Sequence, residues 1–226
     1  MMARVPIPEE RFTIDVPDKG QVSAAYVRPR DAFASLALFH GAGAGMDHPF
    51  MAGLARAIAD EGVATLRCNF PYMEAGKRSP DREPIAVATV RAAFAAATER
   101  GGGGEPVWVG GKSFGGRMAS VAVAEGMPAA GLVFLGYPLH PPGKPERVRD
   151  EHLYGIEVPM LFLQGTKDPF ATAAVLEPVL VKLPTATLHA VDGGGHSLER
   201  SRSDDAREVA ASFAPLVAGF RGEGRA

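Results

Sequence analysis

Cysteine is nearly absent: Cys68 is the single one in 226 residues, so no disulfide can form within the chain. Charge of either sign is equally unremarkable, with 24 basic against 26 acidic side chains. No basic stripe interleaved with aromatics is present, so nucleic acid is not an expected partner. Long apolar runs are missing as well, since none approaches the roughly 20 residues a membrane-spanning helix needs. The opening MMARVPIPEERF has no apolar core of the kind a secretory signal carries. Together these absences predict a cytoplasmic protein that acts on a small molecule. The length suits one α/β domain over residues 1–226.

What the chain does contain is alternation. Short runs rich in Val, Leu and Phe are separated by alanine-rich helical patterns, the mark of a mostly parallel sheet covered on both faces. The runs 11–16 and 22–27 flank Pro-Asp-Lys-Gly and predict an antiparallel hairpin at one edge. Runs at 35–40, 63–68, 106–110, 130–136, 158–164 and 186–191 bring the expected count to about eight strands. Asp47 is the expected cap of a helix carrying Phe50, Leu54 and Ile58, and Pro84 the expected start of another closed by Gly101. Further helices are predicted over 114–125, near 170–182, and from Ser203 onward with a kink at Pro215.

The segment 107-VWVGGKSFGGRMASVAVA-124 decides the chemistry. Its Gly-Lys-Ser invites comparison with a phosphate-binding loop, but the position where such a loop needs its first glycine is Pro106, and Val107, Trp108 and Val109 belong in a buried strand. Gly111-Lys112-Ser113-Phe114-Gly115 is instead a complete G-x-S-x-G, a strand-to-helix turn that raises a serine hydroxyl clear of the backbone. Two further loops follow strands. Asp168 sits in Gly-Thr-Lys-Asp-Pro after the run ending at 164, and His196 sits in Asp-Gly-Gly-Gly-His-Ser after the last run. Ser113, Asp168 and His196 thus fall in the order nucleophile, acid, base. Asp192 is an alternative acid. His189, inside a strand, reads as an ordinary strand residue.

The loop 40-HGAGAGMDHPF-50 fails as a dinucleotide fingerprint, because its third glycine comes one place early and the next strand ends without an acid for a ribose. Its small residues suit close backbone approach to a substrate carbonyl. The amides of Phe114 and Ala42, with Gly41 or Gly43 as alternatives to Ala42, are the expected oxyanion donors. Met46, Phe70, Tyr72, Tyr137, Leu139 and Phe170 are the candidate walls of the substrate site, each equally able to fill core. Lys77 and Arg78 read as a solvated loop, with attraction of an anionic substrate as the lesser alternative. No metal or organic cofactor is called for.

These blocks resemble the α/β-hydrolase superfamily over nearly the whole chain. HGAGAGMDHPFM, RCNFPYMEAGKRSPD, VGGKSFGGRMAS, QGTKDPF and GGGHSL are similar to the small, lidless bacterial hydrolases grouped near dienelactone-hydrolase-like proteins. The resemblance implies a serine hydrolase cleaving an ester, or a thioester or amide, through an acyl-enzyme. Dienelactone hydrolases proper use cysteine where this chain has Ser113, so their substrate does not follow. Similarity to a eukaryotic chromatin-complex subunit keeps open a non-catalytic interaction module on the same scaffold. The 137–157 segment is too short for a separate cap domain.

Overall fold

The computed structural model describes residues 6–201 and 203–220. Eight strands form one sheet: β1 (Glu9–Val16), β2 (Gly20–Val27), β3 (Ala34–Phe39), β4 (Val63–Cys68), β5 (Val107–Lys112), β6 (Leu132–Leu135), β7 (Met160–Gly165) and β8 (Ala186–Val191). Their spatial order is β1-β2-β4-β3-β5-β6-β7-β8. The first two form the expected antiparallel edge hairpin, and β2 also meets β4 antiparallel. All remaining neighbours are parallel. Every carboxyl end from β3 to β8 therefore opens on one side of the sheet. Among the described residues no cap domain covers that side.

Strands β3, β4 and β7 are buried at every position, which is why they read as continuous apolar runs rather than as alternation. One face packs Phe39, Leu66, Val109, Phe134 and Phe162 under α3 (Glu83–Arg100) and α4 (Phe114–Ala124). The other packs Leu36, Leu38, Val133 and Leu161 under α1 (Pro49–Asp60), α6 (Ala206–Ser212) and α7 (Ala214–Gly219). Each such side chain contributes about 1.5–3 kcal/mol of burial. Two short elements complete the frame, α2 (Pro71–Glu74) and α5 (Ala173–Leu180), with a 3-10 turn at Glu151–Gly155. The strand β8 is the exposed edge, with Thr187, Leu188, His189 and Ala190 all facing solvent.

Two helix ends depart from the expectation. His48, not Asp47, caps α1: its Nδ1 accepts the Phe50 N–H. Asp47 is drawn away because its carboxylate pairs with Arg11 at 2.8 Å. The C-terminal pattern is two helices rather than one kinked helix. It breaks at Phe213, and Pro215 lies in the first turn of α7, where a missing N–H costs nothing. Asp205 caps α6 by accepting from Arg207 and Glu208. The helix α2 was not foreseen; four residues are too few to show a period.

Helix α4 lies unusually close to the sheet. A Cβ on Gly115 would stand 2.5 Å from the Phe39 carbonyl oxygen, and one on Gly116 would stand 2.6 Å from that of Gly111. Gly115→Ala is therefore expected to lower unfolding stability by about 2 kcal/mol or more, because backbone must move to admit the methyl group. Gly104→Ala, in open space, should change it by less than about 0.5 kcal/mol. Urea denaturation of both variants checks the contrast.

Candidate active site

Ser113 occupies the turn between β5 and α4 with φ 50° and ψ −114°, a backbone state that costs a non-glycine residue of order 1–3 kcal/mol. Its N–H donates to the Leu135 carbonyl and its own carbonyl receives the Arg117 N–H, so both sides of the strained residue are anchored. The hydroxyl is left pointing out of the turn. His196 Nε2 lies 2.8 Å from Ser113 Oγ, and His196 Nδ1 lies 2.8 Å from Asp168 Oδ2. A carboxylate only accepts, so Nδ1 carries the proton and Nε2 accepts from the serine. Asp192, the alternative acid, is exposed on a separate surface groove with Arg200 and Asp204.

Asp168 is wholly buried, and three donors compensate its charge. Besides His196, the Phe170 N–H donates to Oδ1 at 2.8 Å and Gln164 Nε2 donates to Oδ2. Gln164 is held in turn by the Tyr137 N–H. The only sequence signal for Gln164 is a polar residue in an otherwise apolar strand. His196 rests on a glycine loop, where Gly194 accepts from Lys167 and Gly195 donates to Glu199. Lys112 reaches the same loop from β5: Nζ donates to Ser197 Oγ at 3.0 Å and to the His196 carbonyl at 3.3 Å. Burial brings its pKa down to about 8. The lysine of Gly-Lys-Ser thus ties down the histidine loop.

The loop after β3 is fastened from behind. His40 is fully buried; its Nδ1 donates to the Gly41 carbonyl and its Nε2 accepts the Phe70 N–H. The Tyr72 hydroxyl donates to the Ala42 carbonyl at 2.9 Å and approaches that of Gly41 at 3.3 Å. A trans peptide points its N–H opposite to its C=O, so the amides of Ala42 and Gly43 face away from Tyr72. The same loop borders the cleft. Phe114 is the first residue of α4, so its N–H has no acceptor within the helix.

A cleft of about 810 Å³ opens over Ser113 and His196. Phe114, Ala42 and Phe170 border it, as expected. The other five candidate walls do not. Met46, Phe70, Tyr72, Tyr137 and Leu139 are buried in the core, where their apolar surface is removed from water. Tyr137 instead bonds Ser120 and His152. Lys77 and Arg78 are exposed and stand apart from the cleft, whereas Pro138, His140, Pro141 and Arg149 border it without having been foreseen. Among the described residues no group of three or more His, Cys, Asp or Glu side chains is placed to hold a metal ion, and no helix is long and apolar enough to cross a membrane.

Residues 32–217 match a family described as an alpha/beta hydrolase domain. The chain belongs to that family. Among solved structures, this hydrolase resembles a serine hydrolase without a lid from Xanthomonas campestris, at 19% identity and TM-score 0.73, covering 96% of this chain and 98% of that one. It likewise resembles a dienelactone hydrolase from Anabaena variabilis, at 18% identity and TM-score 0.75, covering 96% and 99%. An esterase from Pyrococcus furiosus shares the fold at 12% identity and TM-score 0.75, covering 95% and 92%. At these identities the likeness is one of fold.

Two outcomes follow from the backing groups of this hydrolase. Tyr72→Phe removes the hydroxyl that orients the Ala42 peptide, and should lower kcat toward a chromogenic ester about tenfold, or 1.4 kcal/mol of barrier, with KM little changed. Steady-state kinetics on the folded variant test it. The second concerns pH. Burial lowers both His40 and His152 from 6.5 to about 4, the latter helped by the Arg117 charge. Between those values the unfolded chain binds protons that the folded one refuses, so stability should fall as pH drops from about 6.5 toward 4. Urea midpoints across that range should show the slope, and His152→Gln should reduce it.

Proposed function

We propose that the protein is a serine esterase that cleaves small-molecule esters through an acyl-enzyme. The observation that carries this reading is the unbroken hydrogen-bonded series from Ser113 Oγ through His196 to buried Asp168, at 2.8 Å in both steps. Ser113 attacks the ester carbonyl while its proton passes to His196 Nε2. Asp168 stabilises the imidazolium that results. The tetrahedral oxygen takes its negative charge between the amides of Phe114 and Ala42, preorganised donors that need no rearrangement as charge develops. Collapse breaks the C–O bond, and His196 returns the proton to the departing alcohol. Water then attacks the acyl-serine with His196 as base, regenerating Ser113 and releasing the acid.

The cleft of about 810 Å³ supports a small-molecule substrate. The esterase of Pyrococcus furiosus and the lidless hydrolase of Xanthomonas campestris lend the same fold to this reading. Labelling with a fluorophosphonate should be stoichiometric and confined to Ser113. A folded protein that leaves Ser113 unlabelled would point to a binding module on this scaffold instead. Ser113→Ala should cut ester turnover by on the order of a thousandfold or more with the fold intact, because the three groups act as a unit. Asp168→Asn should cost roughly a thousandfold to ten-thousandfold, as expected when the histidine loses its tautomer. More than about a tenth of wild-type turnover in folded Ser113→Ala would remove the assignment.

A further inference from the structure

The walls of the cleft near Ser113 are apolar, formed by Phe114, Phe170 and the proline-rich loop after β6, yet its charged lining is lopsided. Lys112, Arg117 and Arg149 border the cleft against a single carboxylate, Glu199. Lys112 is committed to the histidine loop. Arg117 gives Nη2 to Glu83 at 2.8 Å, but its Nε is buried and lacks an acceptor. Arg149 is exposed at the cleft wall, and among the described residues its guanidinium has no hydrogen bond or ion pair.

Two cations stand among the nearest charges of Arg149, and among the described residues no carboxylate is bonded to it. Arg117 and Arg147 both repel it, and the nearby acids are already engaged: Glu83 by Arg117, and Asp150 by the Tyr154 hydroxyl. Partial burial, and then the charges of Arg117 and Arg147, bring the Arg149 pKa below its ordinary value, with Glu83 opposing them. Backbone geometry holds it in place: the Arg149 N–H donates to the Leu139 carbonyl at 2.7 Å, and the Leu139 N–H donates to the Phe170 carbonyl. Arg149 is thereby tied to the loop that carries Asp168.

We infer that the substrates of this site carry an anionic group, held by Arg149 with Arg117 beside it. The inference rests on the esterase reading above. Ser113, Arg117 and Arg149 all border one cleft, so an anion held by the arginines shares that space with an ester at the serine. A guanidinium binds a carboxylate through two parallel hydrogen bonds, which fixes direction as well as charge. Half-esters of short dicarboxylic acids meet the requirement on the acyl side; an acidic alcohol would meet it on the other.

Three esters of matched length separate these cases: 4-nitrophenyl hemiglutarate, 4-nitrophenyl pentanoate and 4-pentanoyloxybenzoate. At low ionic strength, one of the two anionic esters should show kcat/KM at least about tenfold above the neutral ester, and which one it is assigns the anion to the acyl or alcohol side. The preference should shrink in roughly 0.5 M NaCl, because the arginine is exposed to screening. In Arg149→Met the ratio of anionic to neutral rates should fall close to one. A neutral ester turned over as fast as both anionic ones, or a ratio unchanged in Arg149→Met, overturns the inference. A binding arm stands apart from catalysis: glutarate at about 10 mM should raise the Tm of Ser113→Ala protein, and this rise should vanish when Arg149→Met is added. If no ester is hydrolysed, the esterase reading fails and the glutarate shift alone decides. A shift that depends on Arg149 sustains the anion site, and no shift, or one that survives the substitution, overturns it.

Discussion

The site hangs on the contact between the start of α4 and the carboxyl ends of β3 and β5. Gly115 lets the helix lie against the Phe39 and His40 carbonyls, and Gly116 lets it close over Gly111. Only at that separation can the chain pass from strand to helix within one residue, and that residue is Ser113 with its positive φ. The strain is tolerated because the sheet on one side and the helix on the other are both held by extensive burial. A side chain on either glycine would push α4 outward, and the hydroxyl would leave the reach of His196.

Around this turn, polar residues hold the working groups from behind. His40 and Tyr72 fix the carbonyls of the 41–42 loop, which turns the Ala42 and Gly43 amides away from Tyr72. Gln164 and the Phe170 amide share the charge of Asp168, and Lys112 pins the loop of His196. Each backing group is buried or half-buried, where an unmade hydrogen bond is costly, so each has one stable arrangement. Burial also keeps His40 and Tyr72 neutral at physiological pH, the first by lowering its pKa to about 4 and the second by raising it to about 12. A neutral Tyr72 can donate, and a neutral His40 can donate at one nitrogen while accepting at the other.

Much of this was legible in the sequence because it is local. The G-x-S-x-G turn, the strand runs, the edge hairpin and the loops bearing Asp168 and His196 each lie in a few consecutive residues whose spacing carries the meaning. Buried parallel strands announce themselves as apolar runs, and a chain that places chemistry after several of them brings those residues to one edge. The loop after β3 was visible only as a cluster of small residues; which way its amides turn depends on Tyr72, some thirty positions away.

Where the reading of residues went astray, the cause was direction. Met46, Phe70, Tyr72, Tyr137 and Leu139 stand beside the loops in sequence, yet their side chains turn into the core. Asp47 lost its capping role to His48 because Arg11, brought near by the edge hairpin, competes for it. Arg149 lay in a loop with no period or motif to mark it. The sequence by itself determined the order of elements, the sheet edge that bears the chemistry and the three residues of the hydrogen-bonded series, since spacing along the chain encodes them. Tertiary structure alone decided which side chains face the cleft, which hold its walls from behind and which charge is left without a partner, since those depend on contacts between segments far apart in the chain.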